Sequence, residues 1–367
     1  MIFSFLGAYD PAYPRNAVLR RGLELAGATV RECRLPPSIK AWMRYPLAIL
    51  RYSRRIASSD VIFVPEFRQK DVPLGRLFAM LFAKRLVFDP LAARYETKVI
   101  DWRRRQPGTV RAWWNFRIDL MSFHMSDLVL ADTQAHKDYF CRTYGVPEEK
   151  IVVVPVGYDD LMFRPEKSPS PKPREAPFEV LFFGSFLPLH GAESIIEAAA
   201  LLSKKDPSVH FRFIGSGQTL ERVRLRADSL ALPNVEFKGW LRYADLPAQI
   251  VAADVCLGIF GATEKARRVV PHKVFQAMGM RKAVITGRTP AAEAFFHHNK
   301  DIYFCDPPYP KSLVSAILAL KADARLRRSL AEKGYHLVKE RYSPQALGRI
   351  LLDLVEKNRV RRARGRA

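Results

Sequence analysis

Short apolar runs alternate with longer stretches of helical periodicity along almost the whole chain. In the first half, candidate strands fall at Ile2–Leu6, Thr29–Cys33, Val61–Val64, Arg85–Phe88, Leu128–Ala131 and Ile151–Val154. Apolar positions at helical spacing fill the intervals, at Ala17–Ala26, Ile39–Ile56, Pro73–Ala83, Val110–Met125 and Ala135–Tyr144. Strand–helix alternation of this kind predicts a parallel sheet covered on both faces. The stretch FRPEKSPSPKPREAP, Phe163–Pro177, then interrupts it; so rich in proline and charge, it predicts an exposed linker. After it the alternation resumes. Strands are expected at Val180–Phe183, Phe211–Ile214, Val235–Phe237, Val255–Ile259, Ala283–Thr286 and Ile302–Phe304. Helices are expected at Glu193–Leu202, Thr219–Ala231, Asp245–Val251, His272–Met280, Pro290–Phe296, Lys311–Ala322, Ala324–Arg341 and from Gln345 onward.

The predicted fold class is therefore α/β, with two parallel-sheet halves and the natural ligand site in the cleft between them. The expected division is 1–165 for the first domain, 166–177 for the linker, 178–342 for the second domain and 358–367 for a basic tail. The last helix, about 345–360, is a candidate to pack back on the first domain. A chain of 367 residues exceeds the usual size of one core, which agrees with two domains. No tandem repeat is visible, so a solenoid is excluded. The opening MIFSFLGAYDP has too short an apolar run for a signal peptide, and no stretch reaches the roughly 18 apolar residues of a membrane span. Cys33, Cys141, Cys256 and Cys305 are scattered and lack CxxC spacing, which argues for reduced thiols rather than zinc or a disulfide framework.

Charge changes the picture. The net charge is +23 at pH 7, which implies an anionic partner: phosphorylated substrate, acidic lipid or nucleic acid. The tail KNRVRRARGR, Lys357–Arg366, is a dense cationic cluster, with a merely solvated tail as the competing reading. Two further segments mix cations with aromatics. One runs from Trp42, Arg44 and Tyr45 to Arg51, Tyr52, Arg54 and Arg55; the other runs from Trp102–Arg105 to Trp113, Trp114 and Arg117. Such helices suit an anionic membrane surface, or else pack their aromatics on the domain and solvate their arginines.

Candidate chemistry is concentrated in VPHKVFQAMGMRKAVITG, Val270–Gly287. A helix start there carries Lys273 and Gln276 beside a strand, and free N–H groups at a helix start favour anions. An amphipathic helix with two solvated polar residues is the alternative. The run VLFFGSFLPLHG, Val180–Gly191, takes a strand into a glycine loop and then a helix. Gly184 permits close backbone approach to a ligand, and His190 is either a phosphate or leaving-group contact or a loop histidine bonded to backbone. FRFIGSG, Phe211–Gly217, ends a strand in a glycine turn, but Leu220 stands where a GxGxxG motif needs its third glycine. In the first half GAYDPAYPRN, Gly7–Asn16, follows the opening strand. Arg15 and Asn16 are its candidates to face the cleft, with a helix cap by Asn16 as the alternative. Asp89 lies at another strand end, where α/β sheets bind ligands, or is simply an Asp–Pro turn.

Taken in order, these segments resemble the retaining glycosyltransferases of GT-B fold, the family-4-like group of glycosyl transferases group 1. The resemblance runs through Val180–Gly191 with IIEAA after it, FRFIGSG, NVEFKGWLRYADLPAQIVAADVCLGIF at Asn234–Phe260, and Val270–Gly287. In the first half it includes DLVLADTQAHKDYF (Asp127–Phe140) and IVVVPVGYDDLMF (Ile151–Phe163). It implies two Rossmann-like domains facing across a cleft, the second binding the donor through Gly184, Ser185, Gly191, Gly215, Arg267, Arg268, Lys273 and Gln276. Catalytic candidates are His190, Lys273 and Asp89, the last to orient the acceptor hydroxyl, and Arg15 and Asn16 are the acceptor-side candidates. The chain departs from the family where relatives carry an Arg and a Lys on the diphosphate, since Ser185 and His190 occupy those places. Arg268 and Gln276 stand where relatives carry an E-x7-E pair. Gln276 can still bond ribose hydroxyls, and Arg267, Arg268 and Lys273 are candidates to replace the missing diphosphate charge.

The implied reaction moves a sugar from a nucleotide diphosphate sugar to a glycan or lipid-linked acceptor, with retention, in cell-envelope or exopolysaccharide synthesis. No metal and no cofactor are expected beyond the nucleotide sugar as co-substrate. The expected location is cytoplasmic, peripheral on the inner face of an anionic membrane, with no specific nucleic-acid partner. The competing reading is a non-catalytic relative that uses its basic surface to bind anions or nucleic acid.

Overall fold

The computed structural model describes residues 1–165 and 175–364. Most of the expected linker, 166–174, and the tail end, 365–367, therefore lie outside the described residues. The chain forms two compact units. The first comprises 1–157 and 343–367, and the second comprises 158–342.

The first unit holds six strands: β1 (Ile2–Gly7), β2 (Thr29–Arg34), β3 (Val61–Val64), β4 (Arg85–Phe88), β5 (Leu128–Ala131) and β6 (Ile151–Val153). They pair in parallel in the order β2-β1-β3-β4-β5-β6. Every residue of β3 and β5 is buried, as expected of strands covered on both faces, and this explains their unbroken apolar sequence. Leu6, Ile62, Leu86, Phe88, Phe123 and Phe140 make one face of the core. On the other, Phe3, Phe5 and Phe63 pack with Leu19, Leu23, Leu351 and Val355. The last two come from the final helix, Pro344–Arg364, which thus belongs to this unit. Its approach to the helix Pro14–Leu25 depends on absent side chains, because a Cβ on Gly348 would lie 1.9 Å from the Gly22 carbonyl oxygen.

The second unit repeats the plan with β7 (Phe178–Phe183), β8 (Val209–Ile214), β9 (Val235–Gly239), β10 (Val255–Leu257), β11 (Ala283–Gly287) and β12 (Tyr303–Cys305). The order is β12-β11-β10-β7-β8-β9, again all parallel. Val180, Phe182, Phe211 and Phe213 pack under Ile195, Ile196, Ala199 and Leu202 of the helix Ala192–Lys205. In each sheet the strand order reverses beside the first strand, between β1 and β3 and between β7 and β10. Loops leaving the carboxyl ends of such neighbours diverge, and the crevice they leave is where α/β sheets bind ligands.

Candidate functional site

In the second unit, the loops after β7 and β10 and the helix His272–Gly279 meet at this reversal. Gly184 ends β7 with φ +123°, a conformation that side chains avoid, and a Cβ there would lie 3.4 Å from Lys273 Nζ. Gly215 ends β8 at φ +136°, where a Cβ would sit 1.9 Å from the Gly184 carbonyl oxygen. The two glycine turns are therefore stacked backbone on backbone, which explains why glycine is needed at both. Gly191 (φ +64°) precedes the helix Ala192–Lys205 and rests against the Phe260–Gly261 backbone.

Lys273 is the anomaly of this site. Its side chain is buried, its Nζ stands 3.9 Å from the Phe182 ring centroid, and Nζ has no hydrogen-bond partner. Burial holds its pKa well below the ordinary lysine value. A buried ammonium without a counter-charge is unfavourable, so the position stores a demand for an anion. His190 lies within electrostatic reach. Its pKa is pushed well down by burial and by the charges of Lys273 and Lys265. Its Nδ1 is bonded to the Ser185 carbonyl oxygen, and only a protonated Nδ1 can make that bond. The neutral ring then keeps a lone pair on Nε2, which can accept from a hydroxyl and has no proton to give a phosphate. The loop-histidine reading thus holds for one nitrogen. A phosphate contact through the other would require a protonated ring, which the neighbouring cations oppose.

The remaining donor-side candidates are spread unevenly. Ser185 is exposed at the loop tip. Gln276 is buried and donates to the Tyr243 hydroxyl at 2.7 Å. A cavity of about 200 Å³ opens beside them, lined by Gly184, Ser185, Gly215, Trp240 and Tyr243 among others. Arg267 points to solvent, and Arg268 sits 3.6 Å from the exposed carboxylate of Glu264. The buried cation of that segment is instead Lys265, which sequence reasoning passed over. Lys265, Arg267 and Arg268 look alike as a run of cations after an apolar strand. Only the folding of the loop shows which one turns inward.

In the first unit, Arg15 and Asp89 are both fully buried, with Arg15 Nε donating to Asp89 at 2.5 Å. The Arg15 Nη atoms donate to the Val154 and Pro155 carbonyls at 3.1 Å, and the second Asp89 oxygen accepts from the Leu91 N–H. From the sequence, Arg15 is expected to face an acceptor and Asp89 to orient its hydroxyl; here both are buried, bonded to each other and to backbone. Asn16 is buried too, its Nδ2 donating to the Asp10 carbonyl at 2.7 Å, so it braces the loop and does not cap the helix, whose N-cap is Tyr13. Beside it Glu66, at the end of β3, has its pKa raised to about 8 by burial and by the Asp89 charge. His136 lies between Asp132 (2.5 Å) and Glu96 (3.3 Å). Burial alone would depress it, but the two carboxylates outweigh that and lift it to about 9. Among the described residues no group of three or more His, Cys, Asp or Glu side chains is placed to hold a metal.

Comparison with known proteins agrees with this architecture. Residues 163–337 match the glycosyl transferases group 1 family. The mannosylfructose-phosphate synthase of Agrobacterium fabrum is 24% identical over 70% of this chain, which spans 61% of that protein's length. The lipopolysaccharide core biosynthesis glycosyltransferase LpsE of Rhizobium meliloti is 23% identical, over 69% of this chain and 77% of its own. In fold, Anabaena HepE in complex with UDP superposes with a TM-score of 0.74 over 97% of this chain and 100% of its own, at 16% identity. Sucrose-phosphate synthase from Thermosynechococcus elongatus gives 0.73 over 97% and 98%, also at 16% identity. Residues 163–337 thus match the glycosyl transferases group 1 family, and the fold is the GT-B type, with two Rossmann-like parallel-sheet units, seen in these solved structures.

Proposed function

We propose that this chain transfers a sugar from a nucleotide diphosphate sugar to a hydroxyl of a glycan or lipid-linked acceptor, with retention, in building a cell-envelope glycan. The observation that carries this reading is the unpartnered Lys273 Nζ, buried at the glycine end of β7. Bond cleavage at the anomeric carbon leaves negative charge on the departing diphosphate, and a fixed cation in a dry site stabilises that charge where it develops. Lys273 does so directly, the N-terminal N–H groups of its helix add to it, and Lys265 raises the local potential. Gly184 and Gly215 let the diphosphate reach the backbone. Gln276, with Tyr243, meets the ribose, and His190 accepts from a sugar hydroxyl through Nε2. Arg267 and Arg268 act from the rim, attracting the donor rather than holding its phosphates.

UDP is the first donor base to try, since HepE is seen with UDP and with UDP-glucose. A thermal-shift screen against nucleotide sugars tests the reading, because a ligand that binds only the folded state raises its melting temperature. At a hundredfold excess over its Kd the true donor stabilises by about 2.7 kcal/mol. No shift with any nucleotide sugar would count against a working donor site.

Peripheral attachment to an anionic membrane on its cytoplasmic face is part of the proposal. It is supported by the exposed Trp42, Leu50, Trp113 and Trp114 together with the exposed Arg51, Arg54 and Arg55. No described helix is long and apolar enough to cross a membrane. Co-sedimentation should show binding to phosphatidylglycerol vesicles that fades as salt nears roughly 0.5 M. Equal binding to neutral vesicles, or none to either, would remove the membrane from the account.

A further inference from the structure

The first unit contains a second group of cations that the donor chemistry does not use. The loops after β3 and β4 leave the carboxyl edge of the sheet side by side and are fastened together. The Phe67 N–H donates to the Pro90 carbonyl at 3.4 Å, and Gln69 Nε2 donates to the Ala92 carbonyl at 3.0 Å. Asp119 fixes the second loop from below, accepting the N–H groups of Arg94 and Tyr95 at 2.9 and 2.7 Å. Phe67 and Leu91 hold left-handed backbones, φ 57° and 53°, a strain that non-glycine residues tolerate mainly at functional loops.

This fastening presents Arg68 and Arg94 as neighbours. Both side chains are half-buried, both Nε atoms are shielded from solvent, and neither Nε has a hydrogen-bond partner. Among the described residues, no carboxylate lies within ion-pair distance of Arg68, Arg94, Lys70 or Lys98. Burial and the Arg68 charge depress Arg94 against the pull of Asp119. Lys98 is lowered by burial and then by Arg94, Lys70, Arg105 and Arg104 in turn. Arg94 thus sits against the like charge of Arg68, and Lys98 against those of Arg94, Lys70, Arg105 and Arg104, with the Arg94 backbone held by Asp119. Mutual repulsion of this kind is maintained only where something compensates it, and a polyanion that takes forked guanidinium bonds does so best.

We propose that Arg68 and Arg94, with Lys98 at the rim, form a subsite for a phosphate or diphosphate group on the acceptor. The proposal rests on the glycosyltransferase reading and narrows its acceptor to a phosphorylated one. The same chemistry could come from a soluble sugar phosphate, from a lipid diphosphate, or from membrane headgroups met in bulk, and the test separates these sources.

The full-length protein is saturated with UDP to fill the donor site and then titrated calorimetrically with inorganic pyrophosphate. One equivalent should bind, and the double variant Arg68→Gln/Arg94→Gln should weaken it at least about tenfold while UDP affinity holds. Lys273→Ala should do the reverse, losing UDP and keeping pyrophosphate. If the double variant fails to fold, Lys98→Gln must still weaken pyrophosphate measurably. Saturable pyrophosphate binding lost in these variants supports the subsite. Absence of pyrophosphate binding, or binding indifferent to Arg68, Arg94 and Lys98, overturns it. So does retention on phosphatidylglycerol vesicles through these arginines without pyrophosphate binding, since that reports a charged surface. Failure of UDP to bind refutes uridine as the donor base and leaves the subsite untouched, and pyrophosphate titrated alone then still decides the subsite.

Discussion

Lys273→Met is expected to lose about 10²–10³-fold in nucleotide-sugar turnover and, at the same time, to raise the melting temperature. The two effects have one cause. Lys273 Nζ is buried against Phe182 and has no hydrogen-bond partner, so the free protein bears the cost of desolvating it. Methionine keeps the length and apolar contact of the stem and removes that cost. It also removes the unpartnered buried cation beside Gly184, which is the group the proposed leaving diphosphate needs. The pH dependence has a definite sign. A lysine whose folded pKa is depressed binds fewer protons than the unfolded chain between that pKa and about 10.4. Stability from this residue therefore rises with pH through that window and is lost as pH falls, and the slope should vanish in the methionine variant. A variant that keeps wild-type turnover, or melts lower than wild type, would remove Lys273 from the site.

The Arg15–Asp89 pair should dominate the stability of the first unit. Arg15→Ala leaves Asp89 as a fully buried, uncompensated carboxylate and strips donors from the Val154 and Pro155 carbonyls. Breaking a buried pair from one side typically costs about 3–5 kcal/mol, and denaturant unfolding of the variant should show a loss of that size. Replacing both partners, as Arg15→Met/Asp89→Leu, should recover more than half of it, because no charge is then stranded. Recovery stays incomplete, since the Val154 and Pro155 carbonyls still lack their donor. A cost below about 1 kcal/mol for Arg15→Ala would return both residues to the list of substrate contacts.

These two sites mark where the chain was legible and where it was not. Val61–Val64 and Leu128–Ala131 read as strands because a sheet covered on both faces demands unbroken apolar runs, and the structure places them there. The glycine turns were legible for a related reason: a strand that ends in glycine before a helix has few other uses. Strand ends were less sharp. The apolar run Val255–Ile259 yields a strand only to Leu257, since hydrophobicity does not register where pairing stops. The wide turn Glu96–Asp101 has no signal of its own, and the two residues before it, Arg94 and Tyr95, are held by Asp119 from the next helix. Arginine is where sequence misleads most. Arg15 has the composition of a ligand contact and the environment of a core residue, because its partners stand at positions 89, 154 and 155. Lys265 errs in the opposite direction, being one cation among several until the loop buries it.

The central claim, that the glycine turns and Lys273 handle a nucleotide diphosphate sugar, is tested most directly by release of nucleoside diphosphate from a panel of nucleotide sugars. Wild type and Lys273→Met would be compared at equal folded concentration. The account predicts release from at least one donor by the wild type, reduced at least about a hundredfold in the variant. Release unaffected by Lys273→Met, or no release from any donor by a protein that also fails to bind them, would contradict it.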